Sequence, residues 1–317
     1  MAGRDIRRLV AFASLQSTPE KLLVIRRLLS GLAVFRDEVQ VLIPADYEGL
    51  SELVASEAKR QFGMKVSVVG ELMSPSSADT TLAWTRQLEE AGVEVIIAIG
   101  GDGTQRNVAQ ARPQVPILPI AGGTNNVACW IGDQTAAGYA AGLYATERER
   151  YAGELRRAKV LHVHVKNQDD LALIDVALVR QTFTGALAVW NPEDVVALAV
   201  TVADPTRPGL SNVAGYVEPL TPVEDAYVWL KLGAVQTGLG PHYGVLAPGL
   251  MTPFYVVDHR RMALNQPLKI EIPDAGGSLA LDGERTIVVR PGDSAWLEAR
   301  RDGPQYLQPE RILRAFR

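Results

Sequence analysis

Val93-Glu94-Val95-Ile96-Ile97-Ala98-Ile99-Gly100-Gly101-Asp102-Gly103-Thr104 is the stretch on which the fold turns. Its first seven residues are nearly all apolar, as a strand covered on both faces should be. Glycines and one carboxylate follow directly, and the pattern beyond them opens a helix. A strand, a tight glycine turn and a helix, in that order, are the start of a parallel βαβ unit.

The same alternation runs outward from this point. Short β-branched runs stand at Arg8–Ala13, Glu38–Ile43, Lys65–Val69, Glu94–Ile99 and Pro116–Ile120. Longer helical stretches lie between them. Thr18-Pro19-Glu20 opens one with a cap residue and a proline in the first turn. Asp46 to Phe62 reads as a second helix, and Ser76 to Ala91 as a third, closed by Gly92. Beyond Tyr144 the period changes. Thr146-Glu147-Arg148-Glu149-Arg150 is charged and reads as a helix end and link. Strand-like runs then follow at Val160–Lys166, Leu171–Arg180, Ala226–Leu232, Leu268–Ile272 and Thr286–Arg290. A short helix is expected within Ala186–Leu198, long loops between about 205 and 253, and a short amphipathic helix from Gln308 to Arg317. The expected architecture is an α/β domain with a parallel sheet over residues 1–146 and an antiparallel β domain over 147–305. A terminal helix over 306–317 is expected to pack back on the first domain.

Composition narrows the function. The chain has 317 residues, 47% of them apolar and 21% charged, which is the balance of a globular protein and excludes disorder. Lys and Arg total 32 against 36 Asp and Glu, a net charge of −4, so no basic surplus exists for wrapping a nucleic acid. The single cysteine, Cys129, excludes an intrachain disulfide and fits a cytoplasmic location. No run approaches the roughly 18 apolar residues of a membrane span. The apolar run Leu9–Ala13 is too short for the core of a signal peptide and reads as a first strand.

Chemistry concentrates at two glycine loops. Gly100-Gly101-Asp102-Gly103-Thr104 can cradle a polyphosphate, because glycine lets backbone amides approach it and the next helix points its N-terminus at the anion. Asp102 would repel phosphate, so its presence calls for a cation or for a hydroxyl proton to be removed. It can equally be the cap of a strand-to-helix turn. One βα unit later come Gly122-Gly123-Thr124-Asn125-Asn126-Val127, whose hydroxyl and amides can bind phosphate or ribose without adding charge. In an open α/β sheet both loops face the carboxyl edge, where ligands bind. No Lys follows either glycine set, so neither is a Walker A, and no G-x-G-x-x-G follows the first strand. Far downstream, Asp282-Gly283-Glu284 reads as a hairpin turn whose carboxylates matter only if they meet the phosphate loops. His162 and His164 share one strand face without a third ligand, and Cys129 reads as a small buried residue.

Gly100–Thr104 resembles the GGDGT signature of NAD kinases, diacylglycerol kinases and sphingosine kinases. Gly122–Val127 is most similar to the form found in the ATP-NAD kinase/AcoX (acetoin-catabolism protein X) group, and Asp282-Gly283-Glu284 resembles the DGE element of the lipid-kinase branch and of AcoX. The resemblance implies an N-terminal nucleotide-binding domain and a C-terminal β-sandwich-like domain with the active site between them. It implies ATP or polyphosphate as donor, Mg²⁺, and a hydroxyl-bearing small molecule as acceptor, NAD among the candidates. It implies Asp102 as catalytic or metal-organising carboxylate with Asp282 and Glu284 near the acceptor. Gly100, Gly101, Gly103, Thr104, Gly122, Gly123, Thr124, Asn125 and Asn126 would hold the nucleotide. A homo-oligomer is common in such proteins. The chain departs from NAD kinases at Ile174-Asp175, where they carry Asn-Glu, and it lacks their Thr-rich stretch; Gly209–Tyr216 is the nearest segment by order. It departs from lipid kinases at Asn107, where they carry Glu, and at Ala13–Ser17, where they carry an Asn-Pro turn. The alternatives are a lipid or polyol kinase and a nucleotide-binding regulator without catalysis.

Overall fold

The computed structural model describes residues 18–72, 78–180, 191–233, 241–283 and 285–316. The strand expected at Arg8–Ala13 lies outside them. In the first half, α1 (Thr18–Leu32), β1 (Val41–Pro44), α2 (Leu50–Phe62), β2 (Val66–Val69), α3 (Ala78–Glu90), β3 (Ile96–Gly100), α4 (Asp102–Gln110), β4 (Ile117–Ala121) and α5 (Gln134–Thr146) alternate as the periodicity requires. β1 pairs with β2 and β3 with β4, both in parallel. Helix α2 begins later than Asp46 because that carboxylate stays outside and accepts from the amides of Glu48, Leu50 and Ser51. Helices α1 and α5 meet backbone to backbone: a Cβ on Gly138 would lie 2.0 Å from the Leu28 carbonyl oxygen, and one on Gly31 2.0 Å from that of Thr135. Their apolar stripes, Leu28, Leu29 and Leu32 against Ala137, Ala140 and Ala141, fill the first core.

After α6 (Arg148–Tyr151) the chain enters an antiparallel β domain. Strands β5 (Arg156–Arg157), β6 (Val160–Val165), β7 (Gln168–Ala172), β8 (Asp175–Val179), β9 (Val195–Val200), β10 (Ala226–Leu232), β11 (His242–Ala247), β12 (Leu250–Phe254), β13 (Val256–Ala263), β14 (Leu268–Lys269), β15 (Gly277–Leu281), β16 (Arg285–Val289), β17 (Ala295–Arg300) and β18 (Gln305–Tyr306) follow in turn. A six-stranded sheet, β13-β10-β9-β8-β15-β16, stacks on a four-stranded one, β14-β17-β6-β7. Leu161, Val163 and Leu297 from the smaller sheet interleave with Leu178, Leu279 and Leu281 from the larger. The other face of the six-stranded sheet is covered by α7 (Leu210–Val217) and the β11–β12 hairpin, through Val213, Ala214, Leu246 and Phe254.

Three expectations are corrected here. Residues 186–190 of the helix expected within Ala186–Leu198 lie outside the described residues, and from Asn191 to Leu198 there is one 3₁₀ turn, Pro192–Asp194, capped by Asn191, and then β9, whose valines favour an extended chain. The 205–253 region is not simply loop: α7 starts at Gly209 (φ +115°), and β11 and β12 turn at Gly249 (φ +77°). The single run Leu171–Arg180 is two strands, β7 and β8, parted at Leu173-Ile174 for a reason given below.

The chain then returns. β18 pairs in parallel with β4 (Tyr306 opposite Ile117) and antiparallel with β5, so the sheet beside the glycine loops runs β3-β4-β18-β5. Leu307 and Ile312, the latter in α8 (Pro309–Ala315), are buried in the first core beside Leu143 and Tyr144. Among the described residues no helix is long and apolar enough to cross a membrane.

Candidate functional site

β3 and β4 are parallel neighbours, so their carboxyl ends deliver the two glycine loops side by side. Gly122 N–H donates to the Gly100 carbonyl (3.1 Å), and Asp102 N–H to that of Asn125 (3.0 Å). The glycines make this contact possible. A Cβ on Gly123 would lie 2.4 Å from Gly101 Cα, and a Cβ on Gly101 would lie 2.7 Å from the Asn125 oxygen. Neither position needs a left-handed backbone: Gly101 has φ −87°. The second loop is stiffened from within, because Asn126 Oδ1 accepts from the amides of Gly122 and Gly123 (3.1 and 2.9 Å). A Gly123→Ala substitution is therefore expected to push the loops apart and cost about 1–3 kcal/mol, the usual range for overpacking. Urea unfolding measures the stability loss and calorimetric titration with ATP the loss of binding; an unchanged variant in both assays would show that the contact is dispensable.

Asp102, 5% exposed, starts α4 and reaches across to the second loop. Its Oδ1 accepts from Ala128 N–H (2.8 Å) and its Oδ2 from Val127 N–H (3.1 Å). These two backbone bonds, one to each oxygen, fix the orientation of the carboxylate. Asp282 does the same work on the other side. It sits in the β15–β16 turn at φ +47°, followed by Gly283 at φ +69°, so the hairpin turn is present. Yet its side chain is also fully engaged: Oδ2 accepts from Leu173 N–H (2.8 Å), and Oδ1 from Ile174 (2.8 Å) and Asp175 (3.1 Å). Those three amides are what β7 and β8 give up, and that capture divides the run. Burial pushes the Asp282 carboxyl above the usual range, opposed by the three N–H bonds and by the Arg106 charge.

The two carboxylates share one buried neighbourhood. Burial first, then the charges of Cys129, Asp102 and Asp282, push the Tyr306 hydroxyl well up. That hydroxyl has no hydrogen-bond partner among the described residues. Thr104 lies against Gly100, where a Cβ would come within 2.4 Å of its Oγ1. Thr124, Asn125 and Asn126 stand on the second loop, with a buried, unmatched Oδ1 on Asn125. Glu284 lies outside the described residues.

Several neighbours of the site were not evident from the sequence. Arg106, one turn after Asp102, is 4% exposed and ties α4 to the β domain. It donates to Asp170 (2.5 Å) and to the Leu171 carbonyl (2.7 Å), and Asp170 also accepts from Gln110 and Arg285. The spacing of Asp102, Arg106 and Gln110 along one helix face was the available signal. Gly209 approaches so closely that its Cβ would lie 3.0 Å from Asn125 Nδ2, and Arg207 donates to the Asn126 carbonyl (3.3 Å). A third loop thus closes on the first two. The histidines do not converge: His162 binds Asp302, while His164 binds Asp169 and stacks on Trp296 with ring centroids 3.7 Å apart. Cys129 is buried, its thiol donating to the Gly100 carbonyl (3.2 Å) and pushed well up by burial and then by Asp102.

Behind the clamped loops lies a cavity of about 530 Å³, in the size range of small-molecule sites. Val127, Ala128, Leu173 and Ile174, the residues whose amides the two aspartates hold, line it together with Val202, Tyr306 and Glu310. Lys159 also lines it. Its amine donates to the Thr221 (3.2 Å) and Ala226 (2.9 Å) carbonyls, and burial lowers its pKa to about 7. An unfolded lysine keeps its proton to about pH 10. Between those values the unfolded chain binds more protons than the folded one, so this group makes stability rise with pH. Urea unfolding at pH 6, 7, 8 and 9 is expected to show that rise in the wild type and less of it in Lys159→Met. Parallel curves for the two proteins would refute the assignment.

The Thr104 hydroxyl and the Arg207 guanidinium are donors of the kind a phosphate takes, whereas the unmatched Asn125 Oδ1 is an acceptor and suits a hydroxyl. A resident Mg²⁺ does not fit the described side chains. No three His, Cys, Asp or Glu side chains among them converge as metal ligands, and Asp102 and Asp282 spend oxygens on backbone amides.

Comparison with known proteins agrees with the order of these parts. Residues 36–147 match the family model of the ATP-NAD kinase N-terminal domain, and residues 159–302 that of the acetoin catabolism protein X C-terminal domain. The chain is 34% identical over 302 residues to acetoin catabolism protein X of Cupriavidus necator, covering 92% of this chain and 83% of that protein. Among solved structures, yeast NADH kinase complexed with NADH has 13% identity and a TM-score of 0.49, covering 92% of this chain and 82% of that one. A putative diacylglycerol kinase from Bacillus anthracis has 14% identity and a TM-score of 0.49, covering 86% and 98%.

Proposed function

Because the chain belongs to the acetoin catabolism protein X family, a kinase-like family, we propose that it is an ATP-dependent phosphotransferase acting on an alcohol. The observation that supports this best is the Asp102 carboxylate, held by two amides of one glycine loop while standing on the other. It is held at the meeting of the two loops, where an acceptor hydroxyl would reach it.

In this reading the γ-phosphate of ATP, or the terminal phosphate of a polyphosphate, rests on the two loops. The bond from the acceptor oxygen to phosphorus forms as the bond from phosphorus to the ADP oxygen breaks. The hydroxyl proton passes to Asp102 and then to water. Phosphoryl transfer needs mainly positioning and charge neutralisation. Thr104 and Arg207 provide these, from the first loop and the third. Mg²⁺, arriving with the nucleotide, would screen the phosphate charge.

One finding favours an acceptor other than NAD. Ile174 is 3% exposed, lines the cavity and has its N–H taken by Asp282, so it offers a dinucleotide no polar partner. Each unpaired polar group costs roughly 1–3 kcal/mol. A screen for ADP release over NAD, lipids and polyols at saturating Mg-ATP is expected to give turnover with an acceptor other than NAD. Efficient NADP formation at micromolar NAD would refute the reading of Ile174. ATP binding without ADP release from any acceptor would favour a regulator, the role suggested by carboxylates that are heavily bonded to backbone.

A further inference from the structure

The cavity behind the loops has an unbalanced wall. Arg156, Arg157 and Arg207 line it, with Glu310 the single acid among its lining residues. Glu310 is occupied by the indole N–H of Trp130 (2.8 Å). Arg156 and Arg157 form no ion pair among the described residues, Arg157 giving one N–H to the Gly303 carbonyl (3.0 Å), and the pair of Arg207 with Asp204 is long, at 3.6 Å. Burial, then Arg311 and Arg301, lower the pKa of Arg156, opposed by Glu310. Three guanidinium groups line one concave space against the single acid Glu310, and this surplus leaves a positive potential that an anion would relieve. Arginine also presents a planar fork suited to carboxylate or phosphate. The same wall is apolar elsewhere, with Leu173, Ile174 and Val202 all buried.

We infer that this cavity takes an anion-bearing molecule with an apolar body, its carboxylate or phosphate on Arg156 and Arg157 and its chain on Leu173, Ile174 and Val202. The inference rests on the phosphotransferase reading only in calling that molecule the acceptor. It explains together why the wall is apolar at Ile174 and why it carries excess positive charge.

Two matched pairs of probes test it: 3-hydroxybutyrate against 1,3-butanediol, and glycerol 3-phosphate against glycerol. Binding is followed by calorimetry without nucleotide, and ADP release with Mg-ATP. The anionic member of at least one pair is expected to bind at least about tenfold more tightly than its neutral partner. That preference should weaken as KCl is raised. The two pairs distinguish a carboxylate from a phosphate ligand. Arg156→Gln with Arg157→Gln should bring anion and neutral compound within about threefold of each other, and Arg156→Lys should keep part of the preference. Equal binding within both pairs, binding of neither anion, or a preference that survives the double glutamine variant or 0.3 M KCl would overturn the inference. Anion binding that the variants abolish, but without ADP release, would sustain the cavity assignment while refuting phosphotransfer. ADP release with a neutral probe alone would do the reverse.

Discussion

Asp102→Asn is expected to lower turnover by about 10² or more, because it removes both the charge and the proton acceptor from the site. The structure adds a second, separable effect. Asparagine can still accept from Ala128 N–H, but its amide NH₂ then faces Val127 N–H, donor against donor. A buried donor left unpaired costs roughly 1–3 kcal/mol. The variant should therefore melt lower as well as turn over more slowly. ADP release well below its melting temperature isolates the chemical effect, and titration with ATP shows whether the loops still bind. Turnover within tenfold of wild type, beside a clear loss of stability, would make Asp102 a structural clamp.

Asp282→Ala should be the most destabilising single change at the site, by about 3 kcal/mol or more. It orphans the buried amides of Leu173, Ile174 and Asp175 together. It also places alanine at φ +47°, which costs a further 1–2 kcal/mol or so. Asp282→Asn tolerates that backbone and can keep the two bonds now made to Oδ1, so it should lose only about a third as much. The order Ala worse than Asn, read from urea unfolding, tests the assignment; equal losses would refute it. Because Leu173 and Ile174 line the cavity, Asp282→Asn should also weaken acceptor binding more than ATP binding.

The sequence made the parallel βα order legible because each buried strand is an unbroken apolar run and each helix has its own period. It also showed that Gly100–Thr104 and Gly122–Val127 belong together, since consecutive parallel strands must deliver their loops to one edge. It did not show what the glycines are for. They fit loop to loop, a contact set by the distance between β3 and β4 and invisible in either loop alone. Asp282 was legible as a turn residue but not as the clamp on 173–175, because its partners are more than a hundred positions away. Arg106 was hidden for the same reason: its value depends on Asp170, in another domain. Helix α7 and the β11–β12 hairpin were missed where prolines and glycines, which do punctuate short elements, suggested loop.

The return of β18 to the side of β4 has a consequence for the order of events during synthesis. Segments near the N-terminus normally fold first as the chain leaves the ribosome. Here Trp130 covers the far end of β4 on the side away from β3, but the edge at Ile117 stays open until Tyr306 and Leu307 are made. The α/β core likewise lacks Leu307 and Ile312 until the whole β domain has emerged. A nascent chain stalled anywhere in the β domain would thus expose an apolar strand edge beside the unfinished ligand site, a natural target for chaperone binding. Completion of the nucleotide half is withheld until the β domain has been made, so chains cut short within that domain are expected to lack a finished site rather than carry a half-active one.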